Sequence, residues 1–143
     1  YAQCVQAMEK VLRLDKDHKE AQRLLFQADT ALAKKDISQV VELYRVAEEN
    51  EDLLAVLSYA SSPTLSSQLQ SEYKLLFNGY DGIKSIISNL SVSFSTRWDA
   101  AASFSHLLTA VYKKDSKRKI VFEGTKTWQM KKQGRAWKIT GIQ

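Results

Sequence analysis

Two hydrophobic periods divide the chain. Up to Gly82 apolar residues recur every three or four positions, as on one face of a helix; beyond it they alternate, as along a strand. Cys4, Val5, Met8, Val11 and Leu12 form a first helical stripe, interrupted at Asp15 to His18. Asp17 and Glu20 have the spacing of a capping box and open a second helix carrying Ala21, Leu24, Leu25, Ala28 and Leu32. Asp36 is placed to cap a third helix, with Ile37, Val40, Val41, Tyr44 and Ala47 running towards Asn50. Asp52 opens a shorter helix with Leu53, Leu54, Val56, Leu57 and Tyr59. Pro63 ends that pattern, and a last helix from Thr64 to Phe77 turns Leu65, Leu69, Tyr73, Leu76 and Phe77 inward until Asn78 and Gly79 stop it.

In the alternating region Ile86, Leu90, Val92 and Phe94 define the apolar face of a first strand. Ala102, Phe104, His106, Leu108, Ala110 and Tyr112 define that of a second, and Ile120, Phe122, Trp128 and Met130 that of a third. Trp137 and Ile139 lie on a fourth. A two-residue turn at Gln133 and Gly134 would place Met130 opposite Trp137 and Trp128 opposite Ile139, so that the large apolar residues share one face. Helices first and a strand meander after them predict an α+β fold, with helices packed on a curved antiparallel sheet of about four strands.

Charge adds one feature to this picture. Residues 1–60 hold 8 Lys/Arg against 11 Asp/Glu, residues 61–112 hold 3 against 3, and residues 113–143 hold 10 against 2, so the net +5 resides in the terminal strands. Lys113, Lys114, Lys117, Arg118 and Lys119 surround one turn, and Lys131, Lys132 and Arg135 the next. Such a basic patch suits nucleic acid or anionic lipid, but lysines at exposed turns also protect sheet edges, and that reading is preferred. No apolar run approaches the roughly 20 residues that span a bilayer. Cys4 is the one cysteine and has no metal-ligand companion at zinc-site spacing. No phosphate loop, metal-ligand pair or nucleophile motif is present, so neither cofactor nor metal is expected.

The N-terminal hairpin, residues 1–35, with Tyr1, Ala7, Met8, Val11, Leu12, Leu14 and Asp15 followed by Ala21 and Leu24, resembles the junction between two tetratricopeptide repeats. It departs from that pattern at Lys16, where the repeat usually has proline. Beginning in mid-helical pattern at Tyr1, the chain reads as a piece of a longer polypeptide. Residues 36–143 resemble the nuclear transport factor 2-like superfamily, a cystatin-like α+β cone. The resemblance rests on the helix around Val40 to Tyr44, the short helix Leu53 to Tyr59, and the strands Gly124 to Trp128 and Gly134 to Ile139. That superfamily holds isomerases, dehydratases and cyclases beside domains with no chemistry. Ketosteroid isomerase-like members place a tyrosine on the first helix, an aspartate about two dozen residues later and a protonated acid on the sheet. Tyr44 matches the first, but the base position falls near Gln68 and Leu69, and the inward faces of the last three strands carry no Asp or Glu.

The resemblance therefore implies a non-catalytic binding or scaffold module at the C-terminal end of a larger repeat-containing protein. The alternative is a small-molecule isomerase or lyase using Tyr44 and His106. A candidate pocket is assigned to Tyr44, Tyr73, Phe77, Trp98, Phe104, His106 and Trp128. A protein partner is expected first; a small apolar ligand and homodimerisation through the sheet follow, and the sequence assigns no compartment.

Overall fold

The computed structural model describes all residues, 1–143. Four helices, α1 (Ala2–Leu14), α2 (Lys19–Glu49), α3 (Leu53–Ser58) and α4 (Pro63–Gly79), precede four strands, β1 (Tyr80–Phe94), β2 (Asp99–Tyr112), β3 (Lys119–Gln133) and β4 (Ala136–Ile142). The strands form one antiparallel meander in chain order. The main core cluster lies between the helices and one face of this sheet. It joins Ile37, Val41 and Tyr44 of α2 to Leu69 and Phe77 of α4 and to Phe104, Trp128, Met130, Trp137 and Ile139 of the strands.

The helix break predicted near residue 35 is absent. α2 runs unbroken for 31 residues, roughly 46 Å at about 1.5 Å per residue. An aspartate caps a helix only where the chain ahead of it is not helical, and Ala31 to Lys35 are good helix formers with no Gly or Pro among them. Likewise α2 is capped not by Asp17 but by His18, whose Nδ1 accepts the Ala21 N–H at 3.0 Å. The helix ends in a Schellman arrangement. Glu51 stands at φ +53°, while the Asp52 N–H reaches the Ala47 carbonyl at 2.9 Å. Asp52 caps α3 as its position predicts, and α4 is capped by Ser62 with Pro63 in its first turn, one residue ahead of the expected start at Thr64.

α1 packs along the first half of α2, where Ala21 and Ala28, seven residues apart, let the helices approach closely; no residue of α1 is itself buried. Arg97, from the β1–β2 loop, ties this hairpin to the sheet through Glu9 at 3.0 Å and Asp29 at 2.8 Å.

Two bulges reset the inward face of β1. One spans Asp81 to Lys84 with Gly82 at φ +60°, the other Ser88 to Ser91 with Asn89 at φ +55°. Each inserts one residue and flips the alternation. Ile83, Ser85 and Ile87 therefore face inward before the second bulge and Leu90, Val92 and Phe94 after it, while Ile86, predicted inside, points out. The terminal hairpin turns at Gly134 and Arg135, one residue later than predicted. Gln133 pairs with Ala136, and Met130 faces Ile139 instead of Trp137. Gly134 at φ +64° occupies the first turn position, as a type II′ turn requires. From the turn to Met130 the displacement changes the register sum by two, so the side chains keep their faces. A further shift between Gln129 and Met130 sets Trp128 opposite Ile142 instead of Ile139, and Trp128, Met130, Trp137 and Ile139 are all buried.

Candidate functional site

The last turns of α2 carry the element of the site that the strand pattern does not contain. Ile37, Val41, Tyr44 and Glu48 are spaced four, three and four apart, which puts a carboxylate on an otherwise apolar stripe. Glu48 is 1% exposed. A buried carboxylate persists only where donors surround it, and three do. The Tyr73 hydroxyl of α4 donates to Oε2 at 2.8 Å, the Ser85 hydroxyl of β1 donates to Oε1 at 3.1 Å, and His106 Nε2 of β2 stands 3.3 Å from the same Oε1.

Ser85 links the acid to the imidazole, with its Oγ 2.9 Å from His106 Nε2. Because the single serine proton goes to Glu48, Nε2 must supply the proton of the Ser85–His106 bond. That places the lone pair of the neutral ring on Nδ1, which has no hydrogen-bond partner in the chain. Ser85 is itself held at both ends of its peptide. Its N–H donates to Glu49 Oε1 at 3.0 Å, and its carbonyl accepts from Arg45 at 3.1 Å. Arg45 also pairs with Glu49 at 2.8 Å, so the outer side of α2 clamps β1 where the inner side uses it. The bulge at Gly82 is what turns Ser85 inward; without it Ile86 would occupy this face.

A cavity of about 460 Å³ opens beside this network. Glu48, Tyr73 and His106 stand in its wall, Leu108 and Tyr80 flank them, and Leu75, Leu76, Ile120 and Phe122 form an apolar mouth with Glu72 and Lys126. Its size falls within the roughly 300–1,000 Å³ usual for small-molecule sites. Gly124 lies directly across from His106 in the β2–β3 register, and a Cβ built there would meet nothing within 4 Å. The space over the imidazole is therefore open.

Of the pocket residues assigned from sequence, Tyr73 and His106 line this cavity. Tyr44, Phe77, Phe104 and Trp128 are packed in the core, with the Tyr44 and Trp128 rings 4.8 Å apart and those of Phe104 and Trp128 5.0 Å apart. Trp98 is at the other end of the sheet, on the β1–β2 loop, with Arg97 5.3 Å and Lys132 5.7 Å from its ring centre. The basic residues do not form one patch. Lys113, Lys114, Lys117, Arg118 and Lys119 surround the β2–β3 turn beside the cavity mouth, whereas Lys131, Lys132 and Arg135 lie at the opposite end of β3, roughly 40 Å away along the strand. Glu48 and Ser85 are the network residues that the sequence reading missed, and only Glu48 left a signal in the pattern. Its signal was an acid on the Ile37, Val41, Tyr44 stripe.

Burial raises the Tyr44 hydroxyl well above its ordinary value of 10.0; burial, with Tyr44 and Glu48 nearby, does the same to Tyr73. Both phenols stay protonated, and Tyr73 remains a donor to Glu48. A raised folded-state value gives stability that is complete below the unfolded value and lost as pH rises past it. Urea midpoints should therefore fall between about pH 9 and about pH 11, with these two the last of the six tyrosines to develop tyrosinate absorbance. Early ionisation of all six would contradict the burial.

No protein-family model and no curated protein sequence matches the chain. Solved structures do. A putative scytalone dehydratase from Novosphingobium aromaticivorans superposes with a TM-score of 0.72 at 12% identity, over 81% of this chain and 85% of that one. A nuclear transport factor 2-like superfamily protein from Salmonella enterica serovar Typhimurium gives 0.69 at 14% identity, over 79% and 89%. The hexachlorocyclohexane dehydrochlorinase LinA-type3 from Novosphingobium barchaimii gives 0.67 at 10% identity, over 81% and 87%. With its helices laid on one face of a four-stranded antiparallel meander, this chain has the nuclear transport factor 2-like α+β fold.

Proposed function

We propose that the cone takes up a small, mainly apolar molecule and that His106, oriented by Ser85 and Glu48, removes a proton from it in an isomerase- or lyase-type reaction. The observation that carries this reading is the unpartnered Nδ1 of a histidine whose other nitrogen is held by a buried serine–carboxylate pair beside an open apolar cavity. In the elimination form, Nδ1 takes the proton of a C–H bond, the electron pair of that bond becomes a C=C, and the neighbouring group leaves with its own pair. Glu48 then faces the imidazolium. Solved structures of the same fold named as dehydratases and a dehydrochlorinase make elimination the form placed first. Tyr73 replaces Tyr44 as the phenol at the site, since Tyr44 lies in the core.

The test is a thermal-shift screen of small carbonyl and carboxyl compounds, followed by hydrogen–deuterium exchange of each hit in D₂O. Hits should bind wild type and His106→Gln alike, with exchange slowed about 10²-fold or more in the variant. Absence of hits, or equal exchange in both proteins, would refute the reading.

A second reading keeps the chain as a binding module next to a helical-repeat array, with a protein partner on the N-terminal hairpin. Its support is the exposed apolar surface there: Tyr1 is 70%, Leu14 87% and Phe26 66% exposed. If the natural polypeptide carries no helical repeats ahead of Tyr1, this reading is abandoned.

A further inference from the structure

We infer that the cavity selects a ligand bearing one anionic group, which pairs with Lys126 while its apolar body lies against Leu76, Leu108, Ile120 and Phe122. This rests on the cavity assigned above and narrows its substrate to small apolar monoanions.

Four observations converge. Lys126 is the only cationic residue lining the cavity, is half-buried, and forms no ion pair with any carboxylate. Its stem lies on the sheet face and its ammonium has no carboxylate partner, so an incoming anion would complete it. Secondly, Lys126 pairs with Phe104 and Gly124 with His106, so the lysine is the diagonal neighbour of the imidazole on the inner face, about 7–8 Å away in backbone terms. Gly124 leaves the space between them open. A ring of ordinary size spans that distance, with its anionic end on Lys126 and a C–H near Nδ1.

Thirdly, neither acid lining the cavity forms an ion pair with Lys126. Glu48 belongs to the hydrogen-bonded network on the helical side, and Glu72 lies on α4, where it accepts from Gln68 at 3.4 Å. A second negative charge on the ligand would meet these carboxylates, which favours a monoanion. Finally, the β2–β3 turn at the same end of the sheet carries Lys113, Lys114, Lys117, Arg118 and Lys119 against Asp115, with Asp81 of β1 3.8 Å from Lys113, a net positive field that draws anions towards the mouth.

The probe pair is 2-naphthoate and its neutral isostere 2-naphthamide, with binding to the whole chain followed by calorimetry. Wild type should prefer the carboxylate by about tenfold or more, the usual range for a charge-assisted bond. Lys126→Met should remove the preference while leaving amide affinity unchanged, and Gly124→Val should weaken both probes. His106→Gln, which removes the base, should retain the preference. Equal binding of the two probes to wild type, or a preference that survives Lys126→Met, would overturn the assignment of Lys126 while leaving the cavity and His106 standing. If neither probe binds the folded protein, the cavity reading and this inference both fail.

Discussion

Replacing Glu48 with alanine is expected to destabilise the protein by about 3–5 kcal/mol, the range for removing one partner from a buried charged network. The reason is the set of donors left behind. Tyr73 Oη, Ser85 Oγ and His106 Nε2 all turn towards the two oxygens of this side chain, from three different elements, and none has another carboxylate to replace it. A buried donor stripped of its acceptor loses its hydration without compensation. Glu48→Gln should cost less, about 1–3 kcal/mol, because one carbonyl oxygen remains while the new amide N–H₂ faces donors. A double variant separates pairing from packing. Glu48→Leu with His106→Leu should be less damaging than the sum of the two single changes, since removing both partners leaves fewer stranded groups. Urea unfolding measures all five variants, and a loss below about 1 kcal/mol for Glu48→Ala would mean that the network is not formed in solution.

Trp128→Ala should have an effect of similar size, about 3–5 kcal/mol, through a different mechanism. The indole is 1% exposed and is packed against Tyr44 and Phe104, directly behind the functional network. Removing it opens a void that rigid neighbours on α2 and β2 cannot close. At a urea slope of about 2 kcal/mol/M the midpoint should fall by about 2 M. Its buried Nε1–H has no hydrogen-bond partner, so Trp128→Phe surrenders no hydrogen bond and should lose clearly less than the alanine variant. Equal losses for the phenylalanine and alanine variants would show that the indole makes a polar contact that this packing does not contain.

These two residues also mark the limit of what can be read along the chain. Trp128 and Met130 alternate with polar neighbours on a strand that ends at a glycine turn, so their burial follows from period alone, and an error of one residue in the turn left the faces intact. β2 was equally transparent, because Ala102, Phe104, His106, Leu108 and Ala110 alternate without interruption. α2 was harder. An aspartate at position 36 looks like a cap, and only the absence of any breaker from Lys19 to Glu49 argues for continuity. In β1 the alternation assigned Ile86 to the core because each of the two bulges, at Gly82 and Asn89, shifts the phase by one residue, which a regular period cannot represent.

Local pattern by itself determined the helices-then-meander order, the inward faces of β2 and of the terminal hairpin, and the concentration of positive charge in the last 31 residues. These depend on neighbours two to four positions apart, which periodicity records. Tertiary structure alone decided that Glu48 meets Tyr73, Ser85 and His106, that Tyr44 lies behind the cavity and not in it, and that the basic residues divide between two ends of the sheet. Such contacts join residues from separate elements through the curvature of the sheet, the phase of a bulge and the path of a long helix. No spacing along the chain encodes those quantities, so a histidine that looks solitary in sequence gains its acid only when the fold closes.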